Sequence, residues 1–208
     1  MARPSVVVLD YGSGNLRSAQ RALERAGASV SVTPSLVEAE AADGLVVPGV
    51  GAFAACMAGI EAIDAGPMIA ARVAAARPVL GICVGMQILF EYGDEHGVVT
   101  KGLGLLPGGV TRIDAPVVPH MGWNVVQPPS GSVLFTGLSE GTRFYFVHSY
   151  AAHPSPALGD GRLVTTSVHA VPFVAAVEAG PLRATQFHPE KSGDAGFALL
   201  RNWILTLR

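Results

Sequence analysis

Among side chains able to do covalent chemistry near neutral pH, the sequence offers two cysteines, Cys56 and Cys83, and six histidines. Cys83 lies in Val79-Leu80-Gly81-Ile82-Cys83-Val84-Gly85-Met86-Gln87, an apolar run ending at a thiol with a glycine two residues away on either side. That spacing fits a nucleophile elbow, in which a strand turns into a helix so sharply that side chains at the flanking positions would strike neighbouring backbone. The turn sets the sulfur beside free helix N–H groups, which favour the thiolate. A buried structural thiol fits Gly-x-Cys-x-Gly as well, because free cysteine packs like a small hydrophobe. Cys56, in Ala54-Ala55-Cys56-Met57-Ala58, has no such turn around it and reads as a structural residue of a helix.

A cysteine nucleophile needs a base, and of His96, His120, His148, His153, His169 and His188 only His188 carries its own orienting group. In Gln186-Phe187-His188-Pro189-Glu190 a strand ends, Pro189 holds His188 in the extended region, and period-two alternation sets His188 and Glu190 on one side. A carboxylate there accepts the Nδ1 proton and leaves Nε2 for the sulfur. Thiolate attack on a carbonyl also needs donors for the oxyanion. Pro48-Gly49-Val50-Gly51 supplies backbone N–H groups at Val50 and Gly51, and the elbow supplies that of Val84. An ordinary Pro-Gly turn is the other reading of that segment.

These groups need a scaffold that gathers them. Val6–Leu9 is a continuous apolar run, Gly12-Ser13-Gly14 breaks it, and Leu16, Ala19, Leu23 and Ala26 recur at helical spacing up to Gly27. Further strands are expected at Val30–Thr33, Gly44–Val47 and Val79–Ile82, with Ala-rich segments such as Ile69–Ala76 as helices between them. Alternating strands and helices predict an α/β fold with a mostly parallel sheet covered on both faces. Closely spaced runs at Phe144–Tyr150, Leu163–Val168, Phe173–Val177 and Arg183–Phe187 predict an antiparallel extension, and Phe197, Leu200, Ile204 and Leu207 mark a closing helix. Nothing divides the chain, so residues 1–208 are read as one domain.

Composition removes several alternatives. Of 208 residues half are hydrophobic and 14% are charged, with a net charge of −2, which gives core material and no basic stripe for a phosphate backbone. No nucleic-acid partner is expected. No run approaches the length that spans a bilayer, so a soluble, cytoplasmic chain with reduced thiols is expected. Arg17 stands where a dinucleotide fingerprint has its third glycine, so Gly12-Ser13-Gly14 reads as a tight turn. The histidines and cysteines lack ligand spacing, so neither metal nor other cofactor is expected.

With the elbow cysteine, the His-Pro-Glu and the Gly-rich segment in hand, the chain resembles the class I glutamine amidotransferases along nearly its full length. Within them it is similar to the glutaminase subunits that serve histidine biosynthesis, through Asp10-Tyr11-Gly12-Ser13-Gly14-Asn15-Leu16, Pro119-His120-Met121-Gly122-Trp123-Asn124, Tyr145-Phe146-Val147-His148-Ser149-Tyr150 and His188-Pro189-Glu190-Lys191-Ser192. The resemblance implies a three-layer, flavodoxin-like fold and a triad of Cys83, His188 and Glu190. It also implies glutamine held near Gly49, Gln87, Ser149 and Tyr150. Asn15, Trp123, Tyr145 and Lys191 would then lie near a (β/α)₈ cyclase subunit, the partner of a heterodimer, through which ammonia passes. Subunits serving anthranilate, para-aminobenzoate or pyridoxal phosphate synthesis are the nearest alternative. Two stretches depart from the family pattern, a compact Arg112–Val118 and an acidic loop at Tyr92–Val98.

Overall fold

A computed structural model describes residues 2–207, so the first and last positions of the domain expected over 1–208 lie outside the described residues. The first half alternates as expected: β1 (Ser5–Leu9), α1 (Leu16–Ala26), β2 (Ser29–Thr33), α2 (Leu36–Ala41), β3 (Gly44–Gly49), α3 (Phe53–Ala62), α4 (Ala65–Ala74) and β4 (Val79–Cys83). Ala19, Leu23 and Ala26 of α1 turn inward, and Gly27 ends the helix at φ 114°, where its N–H caps the carbonyls of Leu23 and Glu24. The Ser35 side chain caps α2 by accepting from Glu38 N–H. β3 and β4 are buried along their whole length, which explains why they read as unbroken apolar runs.

The chain then forms the one-turn α5 (Val84–Gln87), followed by β5 (Phe90–Glu95), β6 (Val98–Lys101), β7 (Leu106–Arg112), β8 (His120–Val125), β9 (Arg143–His148) and β10 (Tyr150–Ala152). After the short α6 (Pro156–Gly159) come β11 (Leu163–His169), β12 (Val171–Ala179), β13 (Leu182–Thr185), a 3₁₀ turn (Pro189–Lys191) and α7 (Gly193–Ile204). The main sheet has the order β11-β12-β13-β4-β3-β1-β2. β13, β4, β3, β1 and β2 run parallel, and β11 and β12 form the antiparallel extension. Right-handed crossovers put α1 on one face and α2, α3 and α4 on the other. α7 packs against α1, completing three layers.

Three expectations are corrected, the first being the run Arg183–Phe187: it supplies β13, which runs parallel to β4 at the edge of the parallel part and not within the antiparallel extension. The run Phe144–Tyr150 is not part of the extension: β9 pairs with β8 in a separate two-stranded ribbon, and Tyr150 opens β10 in a four-stranded sheet ordered β10-β7-β5-β6. Ser149, at the junction, lets one apolar run serve two sheets. The acidic Tyr92–Val98 stretch is a β5–β6 hairpin rather than a loop, its charges hiding the strand pattern while Phe90 packs inward. No single helix among the described residues is long and apolar enough to cross a membrane.

Candidate active site

Parallel strands aim their C-terminal ends at one edge of a sheet, and the cysteine, histidine and glycine-rich segments meet there. Cys83 ends β4 at φ 57°, ψ −115°, an unusual conformation for a residue with a side chain, and it is 4% exposed. The flanking glycines are required by contact: a Cβ on Gly85 would overlap Val47 O, and one on Gly81 would come within 2.8 Å of Gly85 O. The elbow is therefore real in geometry, but the helix after it is only four residues long. What it offers the sulfur is local N–H groups, with little of a long helix's dipole.

His188 follows β13 across Gln186 and Phe187 with extended torsions. Strand alternation is not what aligns it with Glu190: Pro189 opens a 3₁₀ turn that brings the carboxylate back, and His188 Nδ1 donates to Glu190 Oε1 at 2.7 Å. Asn15 Nδ2 donates to the same oxygen at 2.7 Å, while Glu190 Oε2 is buried with no partner. Asn15, expected at a partner surface, thus sits behind the carboxylate. Burial opposes charge on the His188 ring, but the neighbouring Cys83 sulfur and Glu190 carboxylate outweigh it and raise the imidazole from 6.5 to about 10. At neutral pH His188 is an imidazolium between two acidic partners.

The segment after β3 departs from expectation in one respect. Gly49 pairs with Cys83 across the sheet, and a Cβ on it would overlap the Gly85 backbone, so it serves the close approach of β3 to the elbow. The Val50 N–H donates to Ser13 Oγ at 3.0 Å and is not free for an oxyanion in this conformation. Gly51, at φ 87°, and Val84 line the cavity above the sulfur.

That cavity measures about 330 Å³ and is lined by Val50, Gly51, Cys83, Val84, Gln87, Glu95, Val147, His148, Ser149, Tyr150, His188 and Lys191. A larger one, at the far end of the sheet beside Arg3 and Arg201, holds neither thiol nor histidine. Gln87, expected at the substrate, has its amide N–H₂ engaged by Tyr150 O at 2.9 Å and Gln186 Oε1 at 3.0 Å. Gln186 in turn reaches Cys83 Sγ at 3.8 Å, a contact that its place beside Phe187-His188 hinted at without defining. Glu95 also escaped sequence reading, submerged in its acidic stretch; one of its oxygens caps α3 at Phe53 N–H. A carboxylate and the Lys191 ammonium both line this cavity and suit the two charged ends of a free amino acid.

Trp123 and Tyr145 face each other across the β8–β9 ribbon at 6.0 Å. Trp123 is 55% exposed and stands between Met121 and Val125 on one exposed apolar strip. Tyr145 ties that ribbon to the site: its carbonyl accepts from His188 N–H at 2.9 Å, and its N–H donates to Ser192 Oγ.

A profile of the Glutamine amidotransferase class-I family matches residues 7–207. The chain is 66% identical over 204 residues to imidazole glycerol phosphate synthase subunit HisH of Mycolicibacterium paratuberculosis, covering 98% of each chain. It is 61% identical over 211 residues to the subunit of that name from Thermobifida fusca, covering 99% and 100%. The solved structure of PurLQS from Thermotoga maritima shares its fold, with a TM-score of 0.70 at 21% identity and full coverage of both chains.

Proposed function

The chain belongs to the class I glutamine amidotransferase family and works as the glutaminase subunit of imidazole glycerol phosphate synthase in histidine biosynthesis; from that premise we propose that Cys83, His188 and Glu190 carry the hydrolysis. The observation that supports this most directly is the meeting of the elbow thiol with a carboxylate-held imidazole in one cavity.

Glutamine enters with its amino group toward Glu95, its carboxylate toward Lys191 and its side-chain amide over the sulfur. Cys83 thiolate attacks the amide carbon, forming a C–S bond and an oxyanion held by Val84 and Gly51 N–H. The His188 imidazolium gives its proton to the departing nitrogen as the C–N bond breaks, releasing ammonia and leaving a γ-glutamyl thioester. Neutral His188 then takes a proton from water, hydroxide displaces the thiolate, and glutamate leaves. Glu190 stays ionised throughout and holds the ring.

Ammonia freed without an acceptor wastes glutamine, so the subunit is nearly idle alone and is switched on by its partner, a (β/α)₈ cyclase subunit bound as a heterodimer in the cytoplasm. The exposed Met121–Trp123–Val125 strip, with Tyr145 and Lys191 beside it, is the docking face. Turning the Val50 peptide, with a glycine on each side, adds the missing oxyanion donor. The partner consumes the ammonia in making imidazole glycerol phosphate and AICAR.

The test is to co-purify the chain with the cyclase subunit and follow glutamate release and cyclisation together. Cys83→Ala should abolish glutamate release yet leave cyclisation with added ammonium salt intact. Measurable glutaminase activity in Cys83→Ala with none in His188→Ala would overturn the roles of nucleophile and proton carrier.

A further inference from the structure

β13 and β4 run side by side in parallel, with Thr185 paired to Ile82, so the next residues along, Gln186 and Cys83, leave the sheet together. On the other flank Cys83 is paired with Gly49, which has no side chain to offer it. Gln186 is fully buried, and its Nε2 reaches Cys83 Sγ at 3.8 Å. Its Oε1 accepts from Gln87 Nε2 at 3.0 Å.

Which end of this amide faces the sulfur is fixed by a neighbour that cannot donate. The Tyr150 carbonyl accepts from Gln87 Nε2 at 2.9 Å, so the NH₂ end of Gln87 faces both Tyr150 and Gln186. Gln186 must answer with its oxygen, because turning it over would set two NH₂ groups against each other. Its own NH₂ is left for Cys83 Sγ, the one partner of that nitrogen among the described residues. A buried amide is costly unless it is hydrogen-bonded, and a neutral thiol is a weak acceptor. A thiolate is a strong one, since a hydrogen bond to an ionised group is roughly twice as strong as a neutral one.

We infer that Gln186 is a further catalytic residue, a neutral donor that holds the Cys83 thiolate from the β13 side. The inference rests on the glutaminase reading above and gives the nucleophile a second stabiliser besides His188. His188 contacts the same sulfur, but its charge comes and goes with the proton it carries, whereas the amide stays the same throughout. Gln186 therefore supports the sulfur before attack and again as hydroxide displaces the thiolate from the γ-glutamyl thioester. No proton or other atom passes to or from it. The other ionisable groups near the sulfur are Tyr11 and Cys56, which burial raises and keeps neutral, and Glu95 and Lys191, which line the cavity.

Two variants separate this role from that of a prop for Gln87. Gln186→Glu still accepts from Gln87 but, once ionised, gives the sulfur no hydrogen and sets a negative charge beside it. Gln186→Met removes both contacts. One hydrogen bond to a charged group corresponds to about tenfold or more. In the chain paired with its cyclase, kcat for glutamate release should fall by about tenfold or more in both variants, with KM for glutamine near wild type. Alkylation of Cys83 by iodoacetamide, followed by mass spectrometry of its peptide, should reach half its maximal rate about one pH unit higher in both. A wild-type kcat in Gln186→Glu beside a loss in Gln186→Met would make Gln186 a prop alone and overturn the inference. An alkylation profile unmoved in either variant overturns it as well. Should a variant fold poorly, the ¹⁵N-labelled wild type still decides. Its Gln186 side-chain NH₂ resonances should shift with pH along the alkylation profile and cease to do so in Cys83→Ser. Resonances that never shift, or that shift equally in Cys83→Ser, overturn the inference. If no form released glutamate even with the cyclase bound, the glutaminase reading would fail, while alkylation and the resonances would still decide whether Gln186 serves the sulfur.

Discussion

Glu190 Oε1 receives two hydrogen bonds and Oε2 none, so the carboxylate that orients His188 is itself held by Asn15. A hydrogen bond to a charged group contributes about 1.5–3 kcal/mol, and under the proposed mechanism it fixes the ring that moves a proton in both half-reactions. Asn15 has φ 66°, which glycine adopts without strain. Asn15→Gly thus removes the amide and little else. We expect kcat of the partner-activated enzyme to fall by about ten- to a hundredfold, with KM for glutamine near wild type. A wild-type kcat in glutamate-release assays would show that Glu190 needs no second anchor. Cys83, His188 and Glu190 stand out in the sequence as candidates because each is marked by near neighbours: glycines two residues away, or a carboxylate two residues on. The resemblance points Asn15 toward the partner, and its contact with Glu190 is not legible because the two lie 175 positions apart along the chain. Gln186, Ser13 and Glu95 escaped for the same reason.

The elbow is set by how closely β3 approaches the turn after β4. A Cβ on Gly85 would meet the Val47 carbonyl and the Pro48 backbone, atoms held in the centre of the sheet. Neither side can give way without parting the strands. Gly85→Ala should cost on the order of 4 kcal/mol or more, the range of severe core defects, seen as lost soluble yield or a collapsed urea midpoint. Gly51 has φ 87° and open space where its Cβ would be, so Gly51→Ala should cost only about 1–2 kcal/mol through backbone strain. Equal losses for the two would mean that the elbow glycine serves flexibility rather than close packing. The same sheet shows which elements a sequence discloses. β1, β3 and β4 are buried on both faces and read as apolar runs, and α1 announces itself by spacing and by Gly27. β5, β6 and β7 carry charges and glycines on partly exposed faces, so their pairing decides their conformation and their composition hides it. Whether Phe144–Tyr150 serves one sheet or two is likewise a matter of long-range pairing.

Across the whole molecule, a chain of hydrogen bonds runs from the exposed β8–β9 ribbon to the Cys83 sulfur. Asn124 Nδ2 donates to His120 Nε2, leaving His120 Nδ1–H for His148 Nε2 and His148 Nδ1–H for Tyr150 O. Tyr150 O also accepts from Gln87, which donates to Gln186, whose amide reaches Cys83. The order of donors requires both histidines to be neutral. Burial lowers His120 to about 4, helped by the neighbouring His169, and lowers His148 to about 3, helped by His120, His169 and His188. A lowered histidine takes up its proton later in the folded than in the unfolded state, so stability is lost as pH falls below about 6.5. His188 works in the opposite direction: raised to about 10, it contributes stability that is complete below its unfolded value near 6.5 and is lost as pH climbs through 10. Between pH 6.5 and pH 5 its contribution is nearly constant, and the two lowered histidines dominate, together costing on the order of 3 kcal/mol. The melting temperature should therefore fall by about 8 °C across that interval. In His120→Phe, whose ring can keep the stacking against Phe146, the fall should shrink to about half. The variant starts from a lower melting temperature because His148 loses its partner, so the slope and not the absolute value carries the test. An equally steep fall in His120→Phe would place the acid sensitivity elsewhere and remove the reason for keeping this polar chain neutral inside an apolar core.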